Sequence, residues 1–137
     1  MLKAFAGGNL FGATTGSGRP WVLALHGWRR THVDFDAVVG GPDPLDAVAL
    51  DLPGFGVSPE PPEGWGAEDY ASFVSAVLDE MVDRVVVIGH SFGGRVAVHL
   101  AANHPDRVGS DERENATRRM MVANMLIDRA MKRRMVR

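Results

Sequence analysis

Ser91 stands in Gly89-His90-Ser91-Phe92-Gly93, a G-x-S-x-G pattern directly after the apolar run Val85-Val86-Val87-Ile88. Such a turn between a strand and a helix lifts a serine hydroxyl clear of the sheet, where it can attack a carbonyl. The helix that follows, expected over 93–103, offers N–H groups and a positive dipole end to a developing oxyanion. Two further groups of reactive residues close similar runs. His26-Gly27 follows Trp21-Val22-Leu23-Ala24-Leu25, and Asp51 follows Ala47-Val48-Ala49-Leu50. With His90, and with His32 six residues after His26, they form a set of imidazoles and a carboxylate at strand ends. That set suits a divalent ion, Zn²⁺ first among the candidates, held by His26, His32, Asp51 and His90 with a bound water as nucleophile. Neither H-E-x-x-H nor H-x-H occurs.

The elements that must position these residues follow from periodicity. Residues 2–6 and 9–15 read as two short strands parted by Gly7-Gly8. The runs at 21–25, 47–50 and 85–88 are apolar on both faces, as buried parallel strands are. Between them, Tyr70, Phe73, Val74, Val77, Leu78 and Met81 recur at helical spacing, which predicts a helix over 67–82. His104-Pro105 stops the helix that begins at 93. Residues 58–66, rich in Pro and Gly, form a loop. Strands alternating with helices give an α/β fold, a mostly parallel sheet of about five strands with flanking helices.

Composition bounds the function. The 137 residues are 45% hydrophobic and 23% charged, an ordinary globular balance. No apolar run reaches the ~20 residues of a membrane span. The first 25 residues show no secretory signal, so a cytoplasmic location is expected. Cysteine is absent, which excludes disulfides and thiolate metal sites. Charge divides the chain. Residues 1–110 hold seven Lys/Arg against thirteen Asp/Glu, and residues 111–137 hold eight against four. Residues 1–110 are therefore expected as one domain. Residues 111–137 are expected as an amphipathic C-terminal helix, with Met120, Ala123, Ile127, Ala130 and Met131 as its stripe. The acidic body argues against nucleic acid as a partner.

Taken together, Trp21–Trp28, Val48–Ser58 and Arg84–Val108 resemble the N-terminal half of an α/β-hydrolase. The resemblance implies the sheet order 1-2-4-3-5 for the strands present, with Ser91 as nucleophile. It also implies the N–H groups of Phe92 and Trp28 as oxyanion donors, Asp51-Leu52-Pro53-Gly54-Phe55-Gly56 as the loop after strand 4, and, as the alternative to a metal, a hydrogen-bonded framework of His26, His90 and Asp51 beneath the site. The family's triad acid and histidine, which follow later strands, have no counterpart in this sequence. The expected molecule is thus a truncated hydrolase whose fifth strand forms a sheet edge, favouring a homo-oligomer, a dimer or tetramer.

Three functions follow. The first is a promiscuous hydrolase of activated esters, lactones or phosphotriesters using metal-activated water. The second is a Ser91 esterase whose base is His90 or a histidine of a second chain. The third is a non-catalytic self-associating fragment. His99 is expected to be a surface or packing residue and His104 a helix cap. Asp34 and Asp36 are expected to start the helix after the His26-Gly27 loop. Trp28 and Trp65 are candidates to line an apolar pocket near Ser91.

Overall fold

The computed structural model describes residues 1–109. Five strands form one sheet: β1 (Leu2–Phe5), β2 (Leu10–Thr15), β3 (Val22–Leu25), β4 (Ala47–Asp51) and β5 (Val86–Gly89). Their order is β1-β2-β4-β3-β5, with β5 at one edge. The first two strands pair antiparallel with each other, and β2 pairs antiparallel with β4. On β3, both neighbours run parallel. The turn between β1 and β2 is a short 3-10 segment, Ala6–Gly8, in which Ala6 and both glycines take positive φ.

Alternation along the central strands feeds two cores. Leu23 and Leu25 of β3, Val48 and Leu50 of β4, and Val87 of β5 face one side. There they meet Tyr70 and Val74 of α2 (Ala67–Val74), and Val96 and Leu100 of α3 (Phe92–Asn103). Val22 and Ala24 of β3, with Ala47 and Ala49 of β4, face the other side. They pack on Phe35 and on Val39 of α1 (Asp36–Val39). Burial on both faces explains why these strands read as unbroken apolar runs.

The helix expected over 67–82 is α-helical only to Val74, and Ser75–Glu80 continues it as tighter 3-10 turns. The apolar face survives this change, since Val77, Leu78 and Met81 remain buried. Asp36 begins α1, while Asp34 lies in the 3-10 turn His32–Phe35 that precedes it. Beyond α3 the chain returns to the outer side of β5, where Val108 forms a parallel bridge with Val85. The helix expected over 111–137 lies outside the described residues. Among those residues, no helix is long and apolar enough to cross a membrane.

Candidate active site

The site begins at the exit of β5. Ser91 caps α3 at φ 53, ψ −116, a conformation outside the helical and extended basins. A residue other than glycine persists there only when its surroundings dictate it. The surroundings are the flanking glycines. A Cβ on Gly89 would come within 2.5 Å of the Gly94 Cα, and one on Gly93 would collide with the carbonyl oxygens of Leu25 and His26. Strand, turn and helix therefore approach as closely as backbones can. Ser91 itself is exposed. Phe92 heads α3, where the first N–H groups have no carbonyl partner within the helix.

The end of β3 meets this turn from the adjacent strand. A Cβ on Gly27 would lie 3.2 Å from His90 Nδ1 and 3.4 Å from Ser91 Cβ. Gly27 is thus packed against the elbow, and Trp28 follows it directly. The parallel pairing of β3 with β5 brings Gly27 and Trp28 to the same end of the sheet as Ser91 and Phe92. The rings of Trp28 and Phe92 touch as well, with centroids 5.1 Å apart at 80°.

Trp28 opens an aromatic cluster larger than the sequence indicates. Its ring also meets Phe55 at 4.9 Å and Tyr70 at 6.5 Å. Tyr70 contacts Phe92 at 5.2 Å and Trp65 at 5.6 Å, and Trp65 contacts Phe73 at 5.4 Å. Trp28 and Trp65 therefore belong to one wall joined through Tyr70. Trp28 is 52% exposed, so an apolar face of this wall remains open. Tyr70, Phe55 and Phe73 come from distant segments, and no local sequence signal joins them to Ser91.

The four residues expected to hold a metal do not form a metal site. Among the described residues, no group of three or more His, Cys, Asp or Glu side chains stands in a metal-holding arrangement. The reason lies in where their donor atoms point. His26 is fully buried; its Nε2 accepts the Leu52 N–H at 2.9 Å, and its Nδ1 donates to the Gly27 carbonyl at 2.7 Å. Both ring nitrogens are spent, which fixes the neutral Nδ1–H tautomer. Burial lowers the His26 pKa, opposed by its bond to Gly27 and by the charges of Asp51 and Asp34.

Asp51 is equally committed. Its Oδ1 accepts the backbone N–H and the ring Nδ1–H of His32, each at 2.8 Å, and its Oδ2 accepts the Val57 N–H at 3.1 Å. Gly56 lies hard against the same carboxylate, leaving no room for a side chain there. His90 follows β5 directly, and its Nδ1 lies against Gly27. The hydrogen-bonded framework is therefore the observed arrangement for His26, His32 and Asp51. No step is assigned to a metal.

Two other histidines fall away from the serine. His99 and His104 lie along α3 and at its end, roughly 10 and 18 Å beyond Phe92 at 1.5 Å per residue. The His104 N–H closes the helix on the Leu100 carbonyl at 3.0 Å, as a capping position does.

A family model described as the Alpha/beta hydrolase family matches residues 22–133. The chain belongs to this family. Among its relatives is a pimeloyl-[acyl-carrier protein] methyl ester esterase of Vibrio campbellii, 38% identical over 101 residues. That match covers 73% of this chain and 38% of the esterase. An esterase of M. tuberculosis superposes with a TM-score of 0.69 at 32% identity, covering 80% of this chain and 38% of that one. An epoxide hydrolase gives a TM-score of 0.66 at 31% identity, covering 79% and 38%. The chain thus spans well under half the length of the α/β-hydrolases it matches. In this family setting the strained serine, the close-packed glycines and the sheet order all follow the pattern its sequence resembles.

Proposed function

We propose that the chain supplies the acylation centre of an ester hydrolase, with Ser91 as nucleophile and the N–H groups of Phe92 and Trp28 as oxyanion donors. The observation that carries this reading is the strained Ser91 backbone held against Gly27. It exposes the hydroxyl and sets it beside the start of α3. The esterase relatives support an ester-type small molecule as substrate. An apolar acyl or aryl group fits the open aromatic wall at Trp28.

In the proposed step the Ser91 oxygen bonds to the ester carbonyl carbon as the serine proton passes to solvent water, from which the leaving alcohol oxygen is later protonated. Negative charge collects on the former carbonyl oxygen, where the two N–H groups meet it. Collapse expels the alcohol, and water then releases the acid. An elbow and oxyanion donors alone supply roughly 10³–10⁴-fold over water. A positioned imidazole would add the remainder. His26 cannot serve, because its nitrogens are engaged, and His99 and His104 lie too far along α3. The test is covalent trapping by a fluorophosphonate with p-nitrophenyl butyrate turnover, in wild type and Ser91→Ala. Labelling and turnover that both vanish in the variant support Ser91 as nucleophile. Turnover that survives the substitution contradicts it.

A further inference from the structure

The loop between β3 and the 3-10 turn His32–Phe35 carries Gly27 and Trp28, so its placement decides whether oxyanion donors meet Ser91. It is anchored at both ends to consecutive residues at the end of β4. At its start, His26 takes the Leu52 N–H through Nε2. At its end, His32 gives two hydrogen bonds to the Asp51 carboxylate, both at 2.8 Å and both to Oδ1. Between the anchors the chain is bent. The Arg30 N–H turns back to the Gly27 carbonyl at 3.0 Å, and Arg29 takes φ 60. A non-glycine residue at positive φ persists where its ends are held.

The two anchors differ in kind. His26 lies in the fully buried interior. The His32 side chain keeps 18% exposure, whereas that of Asp51 keeps none. His32 therefore covers a buried carboxylate from the rim of the fold. Its backbone N–H would meet Asp51 whatever the side chain. The ring adds a second bond to the same oxygen, which fixes the side-chain torsion and the loop end together.

We propose that His32 is a positioning residue for the oxyanion loop, clamping the Asp51 carboxylate through its ring so that Gly27 and Trp28 stay seated against Ser91. The inference rests on the reading of Ser91 as nucleophile. It extends that reading to a residue which itself touches neither substrate nor serine. The role needs an Nδ1–H donor, and an asparagine amide can place an N–H at nearly the same point. Alanine cannot.

The test compares His32→Ala and His32→Asn in the 137-residue chain. Two quantities are read: the rate of Ser91 labelling by a fluorophosphonate, and amide hydrogen exchange of the peptide spanning 27–32. In His32→Ala, labelling should slow by roughly 10- to 100-fold, the scale of a misplacement near 1 Å. Exchange of 27–32 should quicken while that of β5 and α3 stays unchanged. His32→Asn should return both quantities to within about threefold of wild type. Labelling at the wild-type rate in His32→Ala overturns the proposal, as does an asparagine variant as impaired as alanine. Faster exchange throughout the sheet would show a merely structural residue and overturns it too. If the wild-type chain is not labelled at all, the ester-hydrolase reading fails, and loop exchange alone decides. Quickening confined to 27–32 then supports the clamp, and no change overturns it.

Discussion

The Leu52 N–H donates to His26 Nε2 at 2.9 Å, which puts the lone pair of this fully buried imidazole on Nε2. A proton on Nε2 would face another donor in the buried interior. Burial therefore lowers the His26 pKa below the ordinary 6.5. The consequence for stability has a definite sign. When the folded pKa is depressed, the unfolded chain binds more protons between the two values. The contribution of His26 is thus complete above about pH 6.5 and is lost as pH falls through the folded pKa. We expect the Tm of the wild type to decline with acidification below that point. His26→Gln, whose amide oxygen accepts the same N–H without titrating, should flatten this limb. Thermal melts from pH 7.5 to 5 check it.

Gly93 allows α3 to start against β3. An Ala at this position would drive its methyl into the carbonyl oxygens of Leu25 and His26, both backbone atoms that cannot turn aside. We expect Gly93→Ala to cost about 3 kcal/mol or more, the upper range for overpacking. Urea unfolding measures it, and a loss under 1 kcal/mol would show that the elbow has slack.

Ser91 stores strain in its φ of 53. Ser91→Gly removes the Cβ responsible and should raise stability by about 1 kcal/mol while abolishing labelling. Ser91→Ala keeps the strain and should leave stability near wild type. Opposite changes in function and stability at one residue would mark the backbone as held for chemistry rather than for folding.

Trp28 is half exposed and joins the elbow to the aromatic wall. An aromatic contact contributes about 0.5–1.5 kcal/mol beyond its buried area. Trp28→Ala should therefore raise KM roughly 3- to 10-fold for a phenyl or hexanoyl ester and change it little for an acetate. A KM series over acyl length tests the wall as the acyl or aryl subsite. Equal losses for all esters would refute that role.

Much of the fold was legible because β3, β4 and β5 are buried on both faces and so appear as bare apolar runs. The elbow was legible because its glycines are required by backbone contact, which leaves a fixed spacing in the chain. Even the gathering of His26, His32, Asp51 and His90 at neighbouring strand ends could be read from topology. Their role there stayed open between a metal and a hydrogen-bonded framework. Among the described residues no metal-holding group is found, and the lone pairs and ring protons of His26 and Asp51 are matched largely by backbone groups. The N–H groups of Leu52, His32 and Val57 and the carbonyl of Gly27 leave no mark on residue type. Loop geometry alone brings these groups to the imidazoles and the carboxylate. The aromatic wall was hidden for a similar reason, since Tyr70 and Phe55 reach Trp28 only through the packing of α2 and the loop after β4.

The most direct test of Ser91 as nucleophile is peptide mapping of the fluorophosphonate-treated protein, with and without a chelator. We predict one adduct per chain, on Ser91, formed at the same rate in both samples and absent from Ser91→Ala. An unlabelled Ser91, or labelling that disappears on chelation, would contradict it.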